Sequence, residues 1–199
     1  MTTSTQTEPL IHDFIRNRRS PRIYQETHVD RKTVVGLLEA ARWAASGRNR
    51  QPWNFIVALK EDAQEYRRML HCLNDRNQTW AHTAPVLMLV VAQVIEDDSP
   101  IRTAFYDTGL AVGNLTVQAM AEGLMLRQMG GIDRDKTRLV YSIPETHEPI
   151  CALAIGYPAA PETLPDDDRE RELVPRTRKP LREFVFGGKW GRAAEIVSE

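Results

Sequence analysis

Cysteine is scarce in this chain. Cys72 and Cys151 are the only two in 199 residues, and they form no CxxC pair. That argues against a disulfide-held scaffold or a cysteine zinc site and fits a reducing compartment. Long apolar runs are missing as well, so no stretch reads as a membrane span. Met1 to Glu8 is polar and threonine-rich, with no basic opening and no apolar core, and does not read as a secretory signal. The net charge is −1, which offers no overall basic field for nucleic acid, and the arginine clusters lack interleaved aromatics. These absences set the default of a cytoplasmic protein with no membrane and no nucleic-acid partner. Catalytic signatures are missing too. There is no Walker loop GxxxxGK, no GxGxxG after a strand and no GxSxG elbow. His12, His28, His71, His82 and His147 are scattered without HExxH or paired spacing, so no metal site is expected.

What the chain does have centres on Ala44-Ala45-Ser46-Gly47-Arg48-Asn49-Arg50-Gln51-Pro52-Trp53. An apolar-periodic helix precedes it and the strand Phe55-Ile56-Val57-Ala58-Leu59 follows. Gly47 can take a positive φ and admit a ligand to the backbone. Ser46 offers a hydroxyl, and Asn49 a carboxamide that donates and accepts. Pro52 holds Gln51 extended. The alternative is a plain helix-to-strand surface turn.

Along the chain, Pro9 opens a short amphipathic helix through Leu10, Ile11, Phe14 and Ile15. It ends in Arg16-Asn17-Arg18-Arg19-Ser20-Pro21-Arg22, either a solvated charged face or an anion site built from guanidinium forks. Asp30 caps the next helix, with Val34, Leu38, Ala41 and Ala45 as its apolar stripe. Residues 62–73 read as a helix and 74–82 as a polar loop. Pro85 to Ala92 is a continuous apolar strand, expected to be buried on both faces. Ser99-Pro100 signals a helix start, and that helix runs to about Glu122. It is apolar around much of its circumference, with Gly109, Ala111 and Gly113 along it. It is therefore either a central helix of a monomer or one that meets another subunit. Asp107 on it reads as an internal hydrogen-bond acceptor. A strand from Leu124 leads to Gly130-Gly131, a short helix spans 133–142, and a last apolar strand covers 150–155. Residues 159–174 are proline-rich and then acidic, a surface linker to the segment 175–199. The alternation of helices and apolar strands gives α/β or α+β with a helix-covered sheet.

Together these segments resemble the nitroreductase family. The resemblance rests on Arg18-Arg19-Ser20-Pro21-Arg22, on Ala45-Ser46-Gly47-Arg48-Asn49-Arg50-Gln51-Pro52-Trp53, on Gly130-Gly131, on Ile155-Gly156-Tyr157-Pro158 and on Arg176-Thr177-Arg178. It spans about Leu10 to Leu181. It implies an α+β fold with a central mixed, mainly antiparallel sheet flanked by helices, one domain over 1–199 and an intertwined homodimer; residues 1–8, polar and threonine-rich, are themselves expected to be disordered. It also implies FMN at the subunit interface and hydride transfer from NADH or NADPH to a nitroaromatic, quinone or related small acceptor. Arg18, Arg19 and Ser20, with Arg176 and Arg178, would surround the phosphate. Arg22 would lie near the pyrimidine edge of the flavin, where a cation suits a ring that gains negative charge. Ser46, Gly47 and Asn49 would come from the other subunit, and Gly130 and Gly131 would bring backbone N–H close to N5. The chemistry belongs to the cofactor, so no protein acid, base or nucleophile is needed. The chain departs from the family pattern at Ala45, where proline is frequent, and at Arg48, where a small residue is frequent; Arg48 would narrow or charge the pocket. The alternatives are a flavin-binding sensor or store without turnover, and a specialised member that dehalogenates, consumes its flavin or oxidises a ring.

Overall fold

The computed structural model describes residues 11–197, which divide into two compact units at Leu164 and Pro165. The segment 1–8 and the helix start at Pro9 and Leu10 lie outside the described residues.

In the first unit, α1 (Asp13–Asn17) and α2 (Arg31–Arg42) precede β1 (Trp53–Leu59), α3 (Ala63–Leu70) and α4 (Asp75–Ala81). The central strand β2 (Val86–Gln93) leads to a small hairpin, β3 (Ile95–Glu96) and β4 (Ser99–Pro100). Then come α5 (Ala104–Ala121), β5 (Met125–Met129), α6 (Arg134–Tyr141) and β6 (His147–Gly156). The main sheet has the order β1-β2-β6-β5, and all its pairings are antiparallel. The fold is α+β.

Side-chain alternation along the strands divides the core into two layers. Val86, Met88 and Val90 of β2 join Leu153 and Ile155 of β6 under α2 and α5, against Val34, Leu37, Ala41, Ala111 and Leu115. Leu87 and Leu89, with Ala152 and Ala154, face the other way, onto Tyr66 and Met69 of α3 and Ala81 of α4. Because β2 has strand neighbours on both sides and helices over both faces, Val86–Ala92 is buried throughout, as the unbroken apolar run requires.

Helix starts follow local chemistry. Asp30, Asp62, Asn74 and Asp133 each accept a hydrogen bond from the backbone N–H three residues on, at 2.8, 3.1, 3.0 and 3.0 Å. Such a cap contributes about 1 kcal/mol. The Asn74 cap makes residues 75–81 a helix where polarity alone suggests a loop. Ser99-Pro100 does not start α5. It is the second arm of a tight hairpin whose turn residues Asp97 and Asp98 take φ of 48° and 56°. In α2 it is Leu37, not Leu38, that is fully buried, and Ala45 lies beyond the helix and is exposed.

The second unit contains α7 (Asp166–Leu173), which begins within the stretch that composition reads as a linker. Asp166, Asp167 and Asp168 fill its first turn, where the helix dipole favours carboxylates. Phe186 and Trp190 pack edge to face at 5.0 Å. Among the described residues no helix is long and apolar enough to cross a membrane.

Candidate functional site

Helix α1 ends because Arg18 leaves helical geometry, at φ −55° and ψ 124°, ahead of Pro21. The following segment is held down at several points. Tyr24 Oη donates to the Ala154 carbonyl at 2.8 Å in the core. The Arg22 carbonyl accepts from Thr83 Oγ1 at 3.2 Å. Arg18 Nη1 donates to Ser20 Oγ at 2.9 Å and to the Arg19 carbonyl at 3.2 Å. Arg127, on β5, donates through Nη1 to the Ser20 carbonyl, and its guanidinium lies 5.4 Å from the Trp80 ring of α4. Two guanidinium groups thus converge on one serine, Arg18 on its hydroxyl and Arg127 on its carbonyl. This donor set suits a phosphate or carboxylate.

Past the end of β5, Gly130 is exposed, and a Cβ there would meet nothing within 4 Å. Gly131 is the opposite case. A Cβ there would sit 2.3 Å from Asn74 Nδ2 and 2.7 Å from Asn77 Nδ2. The Gly131 carbonyl accepts from the Asn74 N–H and from Asn77 Nδ2, both at 3.0 Å. The start of α4 is thereby clamped beside the glycine pair.

The loop after α2 has a different scaffold. The Gly47 N–H donates to Asp107 Oδ2 at 3.0 Å, and Thr103 Oγ1 donates to the same oxygen at 2.8 Å. Asp107 is 2% exposed and acts as the internal acceptor read from the sequence. Ser46 Oγ accepts from the Gln51 N–H at 3.0 Å, and Gln51 Nε2 donates to Asn49 Oδ1 at 3.1 Å. Arg48, Asn49 and Gln51 take φ of 54°, 56° and 51°. Gly47 itself does not adopt positive φ. Its lack of a side chain serves space, because a Cβ would lie 3.1 Å from Thr103 Oγ1. Gln51, expected to be extended, is instead left-handed, with its N–H taken by Ser46.

The two groups stand apart within one chain. The 46–51 loop feeds β1 at one edge of the sheet and rests on α5. The Arg18–Arg22 segment lies along β5 and β6 at the other edge, and its partner Arg127 faces α4 on the opposite layer. Three strand spacings, about 14 Å, separate the edge strands. Arg176 and Arg178 belong to the second unit, where both are exposed and Arg178 Nη1 donates to the Thr177 carbonyl at 2.7 Å. Among the described residues no group of His, Cys, Asp and Glu is arranged to hold a metal ion. Sequence reading passed over Arg127. The available signal was a lone cation on the core-facing side of a short strand, between Leu126 and Met129.

An arginine–serine segment on a helix-covered antiparallel sheet, with a second polar loop at the far edge, is the arrangement these residues make. The chain belongs to the nitroreductase family, whose model matches residues 15–157. It is similar to a crystal structure of an oxidoreductase containing FMN, with 34% identity and a TM-score of 0.85 over 96% of this chain and 98% of that one. A Bacillus subtilis protein provisionally named an NAD(P)H nitroreductase, YfhC, is 26% identical over 82% of this chain and 94% of its own. Iodotyrosine deiodinase of Haliscomenobacter hydrossis is 24% identical over 80% of this chain and 84% of its own.

Proposed function

We propose that the protein is an FMN-dependent oxidoreductase that works as a homodimer and passes hydride from NADH or NADPH to a small nitroaromatic, quinone or related acceptor. The observation that carries this reading is the split of the candidate residues between opposite edges of one sheet. One chain offers an arginine–serine anion site at β5 and a polar loop at β1. A ligand that needs both takes them from two chains.

The outer face of α5 supports such an assembly. Phe105 and Tyr106 are 58% and 68% exposed, Leu110 and Val117 are exposed beside them, and side chains added at Gly109 or Gly113 would meet nothing within 4 Å. That is a wide apolar surface for a water-facing helix.

When bound, FMN supplies the hydride chemistry. The protein's part is binding and electrostatics. Arg18 and the Ser20 hydroxyl hold the phosphate dianion, with Arg19 beside them. Arg22 brings positive charge to the ring, and Gly130 and Gly131 let a backbone approach it without a side chain in the way. Ser46, Gly47 and Asn49 reach the ring from the partner subunit. The test is the visible spectrum of the purified protein. A flavin band that bleaches with NADH or NADPH and returns on adding a quinone supports the reading. A flavin that binds but is never reduced by either nucleotide favours a sensor or store. The deiodinase relative keeps a specialised, dehalogenating member as the second reading, tested by halide release from a halotyrosine.

A further inference from the structure

The loop that carries Ser46, Gly47 and Asn49 contains one cation, Arg48, whose side chain has no partner among the described residues. Arginines flank it on both sides, and each is neutralised. Arg42 donates through Nε to Glu39 at 2.8 Å, and Glu39 also accepts from Trp43 Nε1 at 2.9 Å. Those hydrogen bonds, from Arg42 first and then Trp43, hold the Glu39 carboxyl down at about 2, so it stays charged and committed. Arg50 donates through Nε to Glu96 at 2.7 Å. Arg48 between them is exposed and makes no hydrogen bond, ion pair or ring contact among the described residues.

Its backbone is nevertheless fixed in a costly shape. Arg48 sits at φ 54°, a conformation that residues other than glycine, asparagine and aspartate avoid. The latches on both sides of it, from Gly47 to Asp107 and from Gln51 to Ser46, keep it there. A long cation raised on a latched loop, next to residues proposed to face the flavin, and without a counter-ion among the described residues, suits an anion that arrives with the ligand.

We infer that Arg48 is a specificity residue that selects acceptors bearing a carboxylate or similar anion, drawing that group to the mouth of the flavin site. The inference rests on the proposed flavin-dependent reading. The guanidinium makes two parallel contacts to a carboxylate and steers it electrostatically. Neutral acceptors of equal size lack this contact. The same chemistry could instead serve the extra phosphate of NADPH, so the test separates acceptor from reductant.

The experiment measures kcat/KM of the flavin-loaded protein for para-nitrobenzoate and for its uncharged methyl ester, with NADH as reductant. In a second arm, NADH and NADPH are compared with the ester as acceptor. The variants are Arg48→Asn, which tolerates the left-handed backbone, Arg48→Lys and Arg48→Glu. The preference for the acid over the ester should fall about five- to tenfold in Arg48→Asn, as for loss of one partly exposed charge-assisted contact. It should be largely kept in Arg48→Lys and fall further in Arg48→Glu. It should also shrink in wild type as salt is raised. An acid-to-ester ratio unchanged in Arg48→Asn and Arg48→Glu overturns the inference. A change confined to the NADPH-to-NADH ratio overturns it as well, because the anion is then the reductant's. A wild-type flavin that neither NADH nor NADPH bleaches overturns the proposed hydride transfer, and this inference with it; a flavin that bleaches but reduces neither acceptor overturns this inference alone.

Discussion

Asp107→Ala tests whether the 46–51 loop is shaped from α5. The wild-type carboxylate is 2% exposed and takes two hydrogen bonds on one oxygen, from the Gly47 N–H at 3.0 Å and from Thr103 Oγ1 at 2.8 Å. A bond to a charged acceptor contributes about 1.5–3 kcal/mol net, and two that share an oxygen do not add in full. Thr103 is exposed, so its hydroxyl can turn to water. Gly47 is half-buried and its N–H loses its acceptor. Against this, removing a buried carboxylate recovers part of its desolvation cost. The expected loss is about 2 kcal/mol. In a chain of this size that lowers the melting temperature by about 4–8 °C. The loop also loses the latch that holds Arg48 and Asn49 in left-handed conformations, so FMN affinity should fall with stability. The assay is denaturant unfolding followed by tryptophan fluorescence, with FMN titrated separately. Asp107→Asn keeps an acceptor but not the charge and should lose about half as much. If Asp107→Ala unfolds within about 0.5 kcal/mol of the parent, the range of an ordinary surface substitution, α5 does not hold this loop.

Arg18→Ala should weaken FMN binding about ten- to a hundredfold but leave riboflavin, which lacks the phosphate, nearly unaffected; equal losses in fluorescence titrations would remove Arg18 from the phosphate. Gly131→Ala should cost about 1–3 kcal/mol, because the new Cβ displaces Asn74 and Asn77 and with them the cap of α4, whereas Gly130→Ala should be tolerated; equal denaturation midpoints would contradict the clamp. Gly113→Glu puts a carboxylate on the proposed subunit contact and should give a flavin-free, monomeric or unfolded protein by size-exclusion chromatography read at protein and flavin wavelengths. A folded monomer carrying stoichiometric FMN would refute the shared site. Thr108 Oγ1 is buried without a hydrogen-bond partner among the described residues, so Thr108→Val should be stabilising by about 1 kcal/mol in thermal unfolding; a clear loss would mean that the hydroxyl is satisfied.

The parts legible in the sequence are those whose physics is local. Asp30 announces its helix because a cap needs only a side-chain oxygen and an N–H three residues on. The run Val86–Ala92 announces the central strand because burial on both faces removes alternation. Residues 75–81 escaped because their composition is polar and only Trp80 and Ala81 turn to the core. The Asn74 cap becomes informative once Gly131 is seen to hold it.

The site is harder to read because its determinants are distant in sequence. Gly47 is visible as a glycine in a loop, and the local inference is positive φ. The real constraint comes from Thr103, just before α5, and Asp107 on α5, which leave no comfortable room for a Cβ. The left-handed conformations pass instead to Arg48, Asn49 and Gln51, two of which are poor candidates by propensity. Tertiary bonds hold what local preference would reject. Arg127 lies 107 residues from the serine whose carbonyl it grips, and no period or spacing links them. What the sequence does carry is a conflict. A cation sits on the core-facing side of β5, and three non-glycine residues share a turn that only their latches can hold. Such local rule-breaking concentrates where a fold binds something. In this chain it falls on β5 and on the loop before β1, the two edges between which the candidate site is divided.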